Sequence, residues 1–190
     1  MVRKSMIAAG FAMLALAACG RDDANNNVAT DNGLGNAAET GNEAKTATAP
    51  AAADFATAVA ASDLYEIESG RLAAEKASSA EVKSFAQMLV TDHQKSTADL
   101  KAAAGGANPP VTVSPALDAE KQAMIDALKS ANGAEFDRTF IDQQKQAHQK
   151  ALDLLRGYDS GGDARALKDF AAKAATVVQG HLDRLNQMQP

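Results

Sequence analysis

One cysteine in 190 residues leaves no partner for an internal disulfide and too few thiolates for a cysteine-based zinc site. Tryptophan is missing and aromatic residues make up only 4% of the chain, which argues against a large aromatic ligand cleft. Alternating runs of β-branched residues are absent, so nothing signals a sheet. Positive charge is not in excess: the formal net charge is −5, which argues against a nucleic-acid-binding surface, since that would need clustered Lys and Arg. No dinucleotide fingerprint, phosphate loop or nucleophile elbow occurs. Long hydrophobic runs are lacking too. The apolar stretch from Met6 to Ala18, interrupted by Gly10, is too short for a comfortable transmembrane helix.

That stretch has the features of a secretory signal. Arg3 and Lys4 form a positive start, and the apolar segment ends in Leu16-Ala17-Ala18-Cys19. A leucine and two small residues before a cysteine resemble the bacterial lipobox, in which the cysteine thiol accepts diacylglycerol and becomes the acylated N-terminus. This makes residues 1–18 a lipoprotein signal peptide and Cys19 the lipidation site. Several acyl chains together hold a protein stably on a bilayer where one does not. Gly20 stands where the lipoprotein sorting rule places Asp for inner-membrane retention. The expected address is therefore the cell envelope, at the outer membrane and facing the periplasm. Residues 19–53 are rich in Asn, Ala, Thr and Gly, with Val28 and Leu34 as the only large aliphatics. Such a segment buries too little apolar surface to offset its ordering entropy and reads as a flexible tether, spanning roughly 30 Å.

Residues 54–190 read as all-α, a four-helix bundle with a long crossover that contains a short fifth helix. Asp54 is placed to cap a first helix running to about Ala77, and Ser78-x-x-Glu81 has the capping-box pattern for a second. On the second helix Val82, Phe85, Leu89, His93, Ser96 and Leu100 recur at three- and four-residue steps, marking one face. Gly105-Gly106 and Asn108-Pro109-Pro110 end it. Ser114-Pro115 would open a short crossover helix closed by Asn132-Gly133. A third long helix is expected from about Ala134 to Arg156, broken by Gly157 and Gly161-Gly162, and a fourth is expected to be capped by Asp163.

The motifs Glu68-x-Gly70-x-Leu72-Ala73-x-Glu75-Lys76-Ala77-Ser78, Val82-Lys83-x-Phe85-Ala86 and Asp92-His93 resemble the bacterial domain-of-unknown-function family 4142. So do Phe136-Asp137-Arg138, His148, Asp163-x-x-x-Leu167-x-x-Phe170-Ala171 and His181-Leu182 further on. The resemblance covers residues 54 to 188. It implies a ferritin-like fold, an envelope location that is often lipoprotein-anchored, and no established activity. Many relatives carry a Leu-Pro pair shortly before the last histidine, where this chain has Val177-Val178-Gln179-Gly180.

His93, His148 and His181 are the only histidines, one on each of three long helices and each at or beside an apolar-face position. Glu68 and Glu75 lie two turns apart on the first helix. These five are the candidate metal ligands, and imidazole suits Fe, Zn or Cu. At 1.5 Å rise per residue His93 and His148 come to nearly the same height, roughly 20 Å down the bundle, with Glu68 roughly 15 Å down. His181 comes out nearer Glu75, so the groups spread over roughly two turns. No helix carries Glu-x-x-His, because Val90, Lys145 and Val178 stand three residues before the histidines. A ferritin-type di-iron oxidase is thereby disfavoured. Two readings stand open. In one, the histidines are interior polar groups that bond a carboxylate, Gln144 or one another, in a non-catalytic envelope lipoprotein with an interaction or stress-related role, through a protein partner or self-association. In the other, the bundle binds metal or handles redox chemistry through core His and Glu. Asp137-Arg138 is expected to form a surface or inter-helix ion pair, and Tyr65 and Tyr158 to pack or cap.

Overall fold

The computed structural model describes residues 49–189. The signal segment, Cys19 and the tether up to residue 48 lie outside the described residues. Among those described there are five helices and no strand: α1 (Ala52–Lys76), α2 (Ala80–Gly105), α3 (Ala119–Ser130), α4 (Gly133–Gly161) and α5 (Arg165–Gln187). None of them is long and apolar enough to cross a membrane. The hairpins α1–α2 and α4–α5 pack most closely. Contacts of α1 with α4 and of α2 with α5 close a four-cornered bundle, and α3 lies outside against α1 and α4.

The corner between α1 and α2 sets the topology. Ser79, not Ser78, is the N-cap of α2, its hydroxyl accepting from the Val82 amide at 3.4 Å. Ser78 is released for another partner. The buried carboxylate of Asp137 on α4 accepts from the Ser78 amide at 3.0 Å, from the Ser79 amide at 2.8 Å and from the Ser78 hydroxyl. The expected Asp137-Arg138 ion pair gives way to a cap that two helices share. It holds the N-terminal ends of α2 and α4 side by side, so the chain between them must travel the length of the bundle, as a crossover requires. Gly70 allows the hairpin to close tightly, since a Cβ there would meet Val90 Cγ2 at 2.8 Å and the Ala86 carbonyl oxygen at 3.0 Å.

Four more helix ends depart from expectation. Helix α1 starts at Ala52, ahead of Asp54, which sits in the first turn and complements the helix dipole there. Helix α3 starts at Ala119, capped by Asp118 rather than Ser114, and Asp118 accepts from the Lys121 amide at 2.8 Å. Helix α5 has Ala164 as its N-cap, while Asp163 accepts from the Tyr158 hydroxyl at 2.7 Å. Helix α4 runs straight through Gly157 to Gly161. A lone glycine costs a helix about 1 kcal/mol, which the buried turns on either side of Gly157 outweigh.

The core comes in two parts. Phe55, Val59, Leu100, Leu155, Tyr158 and Phe170 belong to one cluster, where Phe55 and Tyr158 stack at 3.8 Å. Phe85, Leu89, Leu128, Phe136, Phe140 and Leu185 belong to the other. Between them a layer of buried polar side chains crosses the bundle: Asp63, Glu66, Ser69, His93, Gln144, His148 and His181.

Candidate metal centre

The polar layer is built from side chains that sit on the inward stripe of each helix. On α1 the buried positions Phe55, Val59, Asp63, Glu66, Gly70 and Ala73 follow one another at steps of three and four. On α2 His93 continues Phe85 and Leu89, on α4 His148 continues Gln144, and on α5 His181 continues Val178. The three imidazoles converge: ring centroids lie 5.3, 5.6 and 5.8 Å apart. One nitrogen from each falls within 4.8 Å of the other two.

Each ring is fixed from behind by an acceptor. His93 Nδ1 donates to Asp63 at 2.8 Å, His148 Nδ1 to the Gln144 carbonyl at 2.9 Å, and His181 Nε2 to Asp92 at 2.9 Å. A carbonyl and two carboxylates can only accept. In the neutral rings every proton is thus committed outward, and His93 Nε2, His148 Nε2 and His181 Nδ1 face inward as lone pairs. His148 Nε2 and His181 Nδ1 stand 3.3 Å apart with no proton left to place between them. His93 Nε2 is buried without a partner. Neutral imidazoles so arranged repel one another, and a shared cation relieves the repulsion.

The electrostatics of the layer hold two of the three rings neutral and favour a positive charge at the third. Burial, and then the neighbouring histidines, push His148 down to about 3. Burial also lowers His181, against the pull of Asp92. For His93 burial again opposes charge, but the Asp63 hydrogen bond and the carboxylates of Glu66, Asp63 and Asp92 together outweigh it and leave its pKa raised. Glu66 lies behind His148, with Oε1 3.7 Å from Nδ1, and burial pushes its carboxyl up to about 7. Glu66 Oε2 and Gln144 Oε1 are likewise buried without partners.

The donor set fits a first-row transition ion. Metal–imidazole bonds of about 2.0 Å put neighbouring ligand nitrogens about 3.3 Å apart in a tetrahedral site, the spacing His148 and His181 already hold. Outer-shell carboxylates and carbonyls that fix the tautomer are the usual support of metal-bound histidine.

The glutamates expected beside the histidines are elsewhere. Glu68 is half-buried and Glu75 exposed, and both border a shallow pocket with Arg71, Leu72, Ile125 and Lys129. At about 100° per residue Glu68 is turned about 200° from Glu66, and Glu75 about 180°, so both point away from the bundle axis. The carboxylates that serve the cluster are Asp63, Glu66 and Asp92. The unbroken α4 also corrects the height of His181. Moving the α4–α5 turn from Gly157 to about Asp163 puts His148 and His181 at comparable distances from it.

No curated protein gives a significant match. Among solved structures, CopM in the Cu(II)-bound form matches with a TM-score of 0.62 at 19% identity, over 74% of this chain and 96% of its own. CopM in the Cu(I)-bound form matches with a TM-score of 0.59 at 21% identity, over 73% and 94%. Identities this low establish the likeness of fold. The model of the family described as domain of unknown function DUF4142 matches residues 37–188, most of the chain, and the protein belongs to that family.

Proposed function

We propose that this protein is a copper-binding helical bundle whose metal is held by His93, His148 and His181. The observation that carries the reading is the convergence of three buried imidazoles, one nitrogen of each within 4.8 Å of the other two, while the opposite nitrogen of each ring meets an acceptor-only partner. Imidazole accepts Zn, Cu, Fe and Ni, and among divalent ions of that row Cu(II) binds a given nitrogen site most tightly. The similarity in fold to a protein solved with both Cu(II) and Cu(I) supports the same choice. Bound there, copper would bring Lewis acidity and a one-electron couple. The chain's own part is to orient three rings, to bury them, and to hold His148 and His181 neutral.

The test is a copper titration of the purified full-length chain followed by calorimetry and electron paramagnetic resonance. One equivalent of Cu(II) with nitrogen hyperfine structure is expected. His93→Ala, His148→Ala and His181→Ala should each weaken binding at least a hundredfold while the far-ultraviolet helical signal persists. Full copper affinity in all three variants would rule the centre out.

We further propose that the bundle works at the cell envelope, tethered through lipid on Cys19. The support is the Leu16-Ala17-Ala18-Cys19 sequence behind a short apolar segment. Labelled palmitate should enter the wild-type chain and not Cys19→Ser, and an unlabelled wild type would sink the anchor.

A further inference from the structure

Beside the histidine cluster a cleft of about 510 Å³ opens between α2 and α5. It exists because small residues face each other there: Ala102 and Ala103 on one wall, Ala166 and Ala174 on the other. Val59, Leu155, Phe170 and Val178 make its apolar lining. Its other lining residues include His93, His181, Asp63 and Asp92, so one end of the cleft is the polar layer itself. His148 does not border it. The cluster therefore meets the cleft on one side only, through two of its three rings.

Two features separate this space from a packing fault. Folded interiors hold few voids larger than a water, and a water occupies about 30 Å³, so this cleft has room for a ligand of many atoms. Its size falls in the range of small-molecule sites, and its walls are mostly apolar by area, with the charged Lys95, Asp99, Asp169 and Lys173 also bordering it. The polar end also offers an unmet demand, in the coordination of the metal proposed there. Three imidazoles leave a transition ion at least one position short of the usual four.

We propose that the cleft binds a small organic molecule with an apolar body and one Lewis-basic head, and that the head completes the coordination of the metal held by His93, His148 and His181. The inference rests on the copper reading above. The body lies along Val59, Leu155 and Phe170. The head, a nitrogen, sulfur or oxygen donor, reaches the metal past His93 and His181. Copper in this protein is then a centre open to an apolar ligand, rather than one closed by protein groups.

Imidazole and 4-phenylimidazole are suitable probes, because they share a donor and differ only in the apolar body. The full-length chain is first loaded with one equivalent of Cu(II). Each probe is then titrated while the visible absorption and paramagnetic resonance of copper are followed, with protein-bound copper verified afterwards by gel filtration. Both probes should change the spectra, and 4-phenylimidazole should bind at least tenfold more tightly. Ala174→Phe and Ala103→Phe fill the cleft from opposite walls and touch no ligand. Each should keep one copper and lose the preference. Equal affinities, spectra that do not respond, copper stripped by the probes, or a preference that survives both variants would overturn the proposal. Failure to load copper at the first step would remove the metal reading and this inference with it. That outcome is distinct because it precedes any probe.

Discussion

The chemistry of the centre depends on which nitrogen of each histidine holds a proton, and single residues decide that. Asp92 is the most accessible of the three acceptors, its side chain 36% exposed, yet it alone fixes the tautomer of His181. Asp92→Asn keeps an acceptor oxygen but removes the charge and allows the amide to turn its donors toward the ring. Copper affinity should fall about ten- to a hundredfold, the usual cost of losing an outer-shell carboxylate. Glu68→Gln and Glu75→Gln, on the opposite face of α1, should leave it unchanged. Calorimetric titration of the three variants separates the two groups, and equal losses in all of them would contradict the assignment. The histidines were legible in the sequence because each interrupts an apolar stripe at the helical step. The carboxylates were harder to read. Helix α1 is so rich in alanine that its inward face is poorly marked, and the family motif draws the eye to Glu68 and Glu75. The signal that finds Asp63 and Glu66 is the stripe of Phe55, Val59 and Ala73, on which both lie.

At the scale of the elements, the helices were readable and their ends were not. Apolar steps of three and four determine where a helix must lie, because a long amphipathic segment has only one way to bury its stripe. Ends depend on who satisfies the exposed amides, and that partner can come from far along the chain. Asp137 is the case in point. Nothing local to Ser78 and Ser79 announces that a carboxylate 58 residues away will take both amides. The same logic gives Asp137 an energetic weight that its sequence neighbourhood hides. Asp137→Ala would leave two amides and a hydroxyl unpaired at a corner where α1, α2 and α4 meet. A loss of about 2–4 kcal/mol is expected, more than an ordinary capping residue contributes. Asp137→Asn, which retains one acceptor, should lose less. Urea unfolding of both variants against wild type measures this. A loss below about 1 kcal/mol for the alanine variant would mean that solvent replaces the cap at little cost.

For the molecule as a whole, the polar layer that divides the core makes the stability of the metal-free protein depend on pH in two opposed ways. His148 is depressed from 6.5 to about 3. Between these values the unfolded chain binds the extra proton, so this contribution is present above pH 6.5 and is lost as pH falls toward 3. His181 is also depressed, and adds to the loss just below 6.5. Glu66 acts in the other direction. Its carboxyl rises from 4.5 to about 7, so the folded chain binds the extra proton in that interval. Its contribution is complete below 4.5 and is lost as pH rises through 7. His93, raised above 6.5, has the same sign and is lost at still higher pH. Each such proton changes stability by about 1.4 kcal/mol per pH unit. Below pH 4.5 Glu66 no longer opposes His148, and stability falls with acid. From 4.5 to 6.5 it is opposed by Glu66 and the profile flattens. Above 6.5 Glu66 and His93 together turn the profile down, which puts the maximum near pH 6.5. Glu66→Gln removes the opposing proton and should turn the flat interval into a steady rise from pH 4.5 to 6.5. Urea unfolding of the metal-free wild type and variant at half-unit intervals tests the argument. A wild-type profile that is already steep across this interval, and unaltered by Glu66→Gln, would show that Glu66 is not the group that balances the histidines.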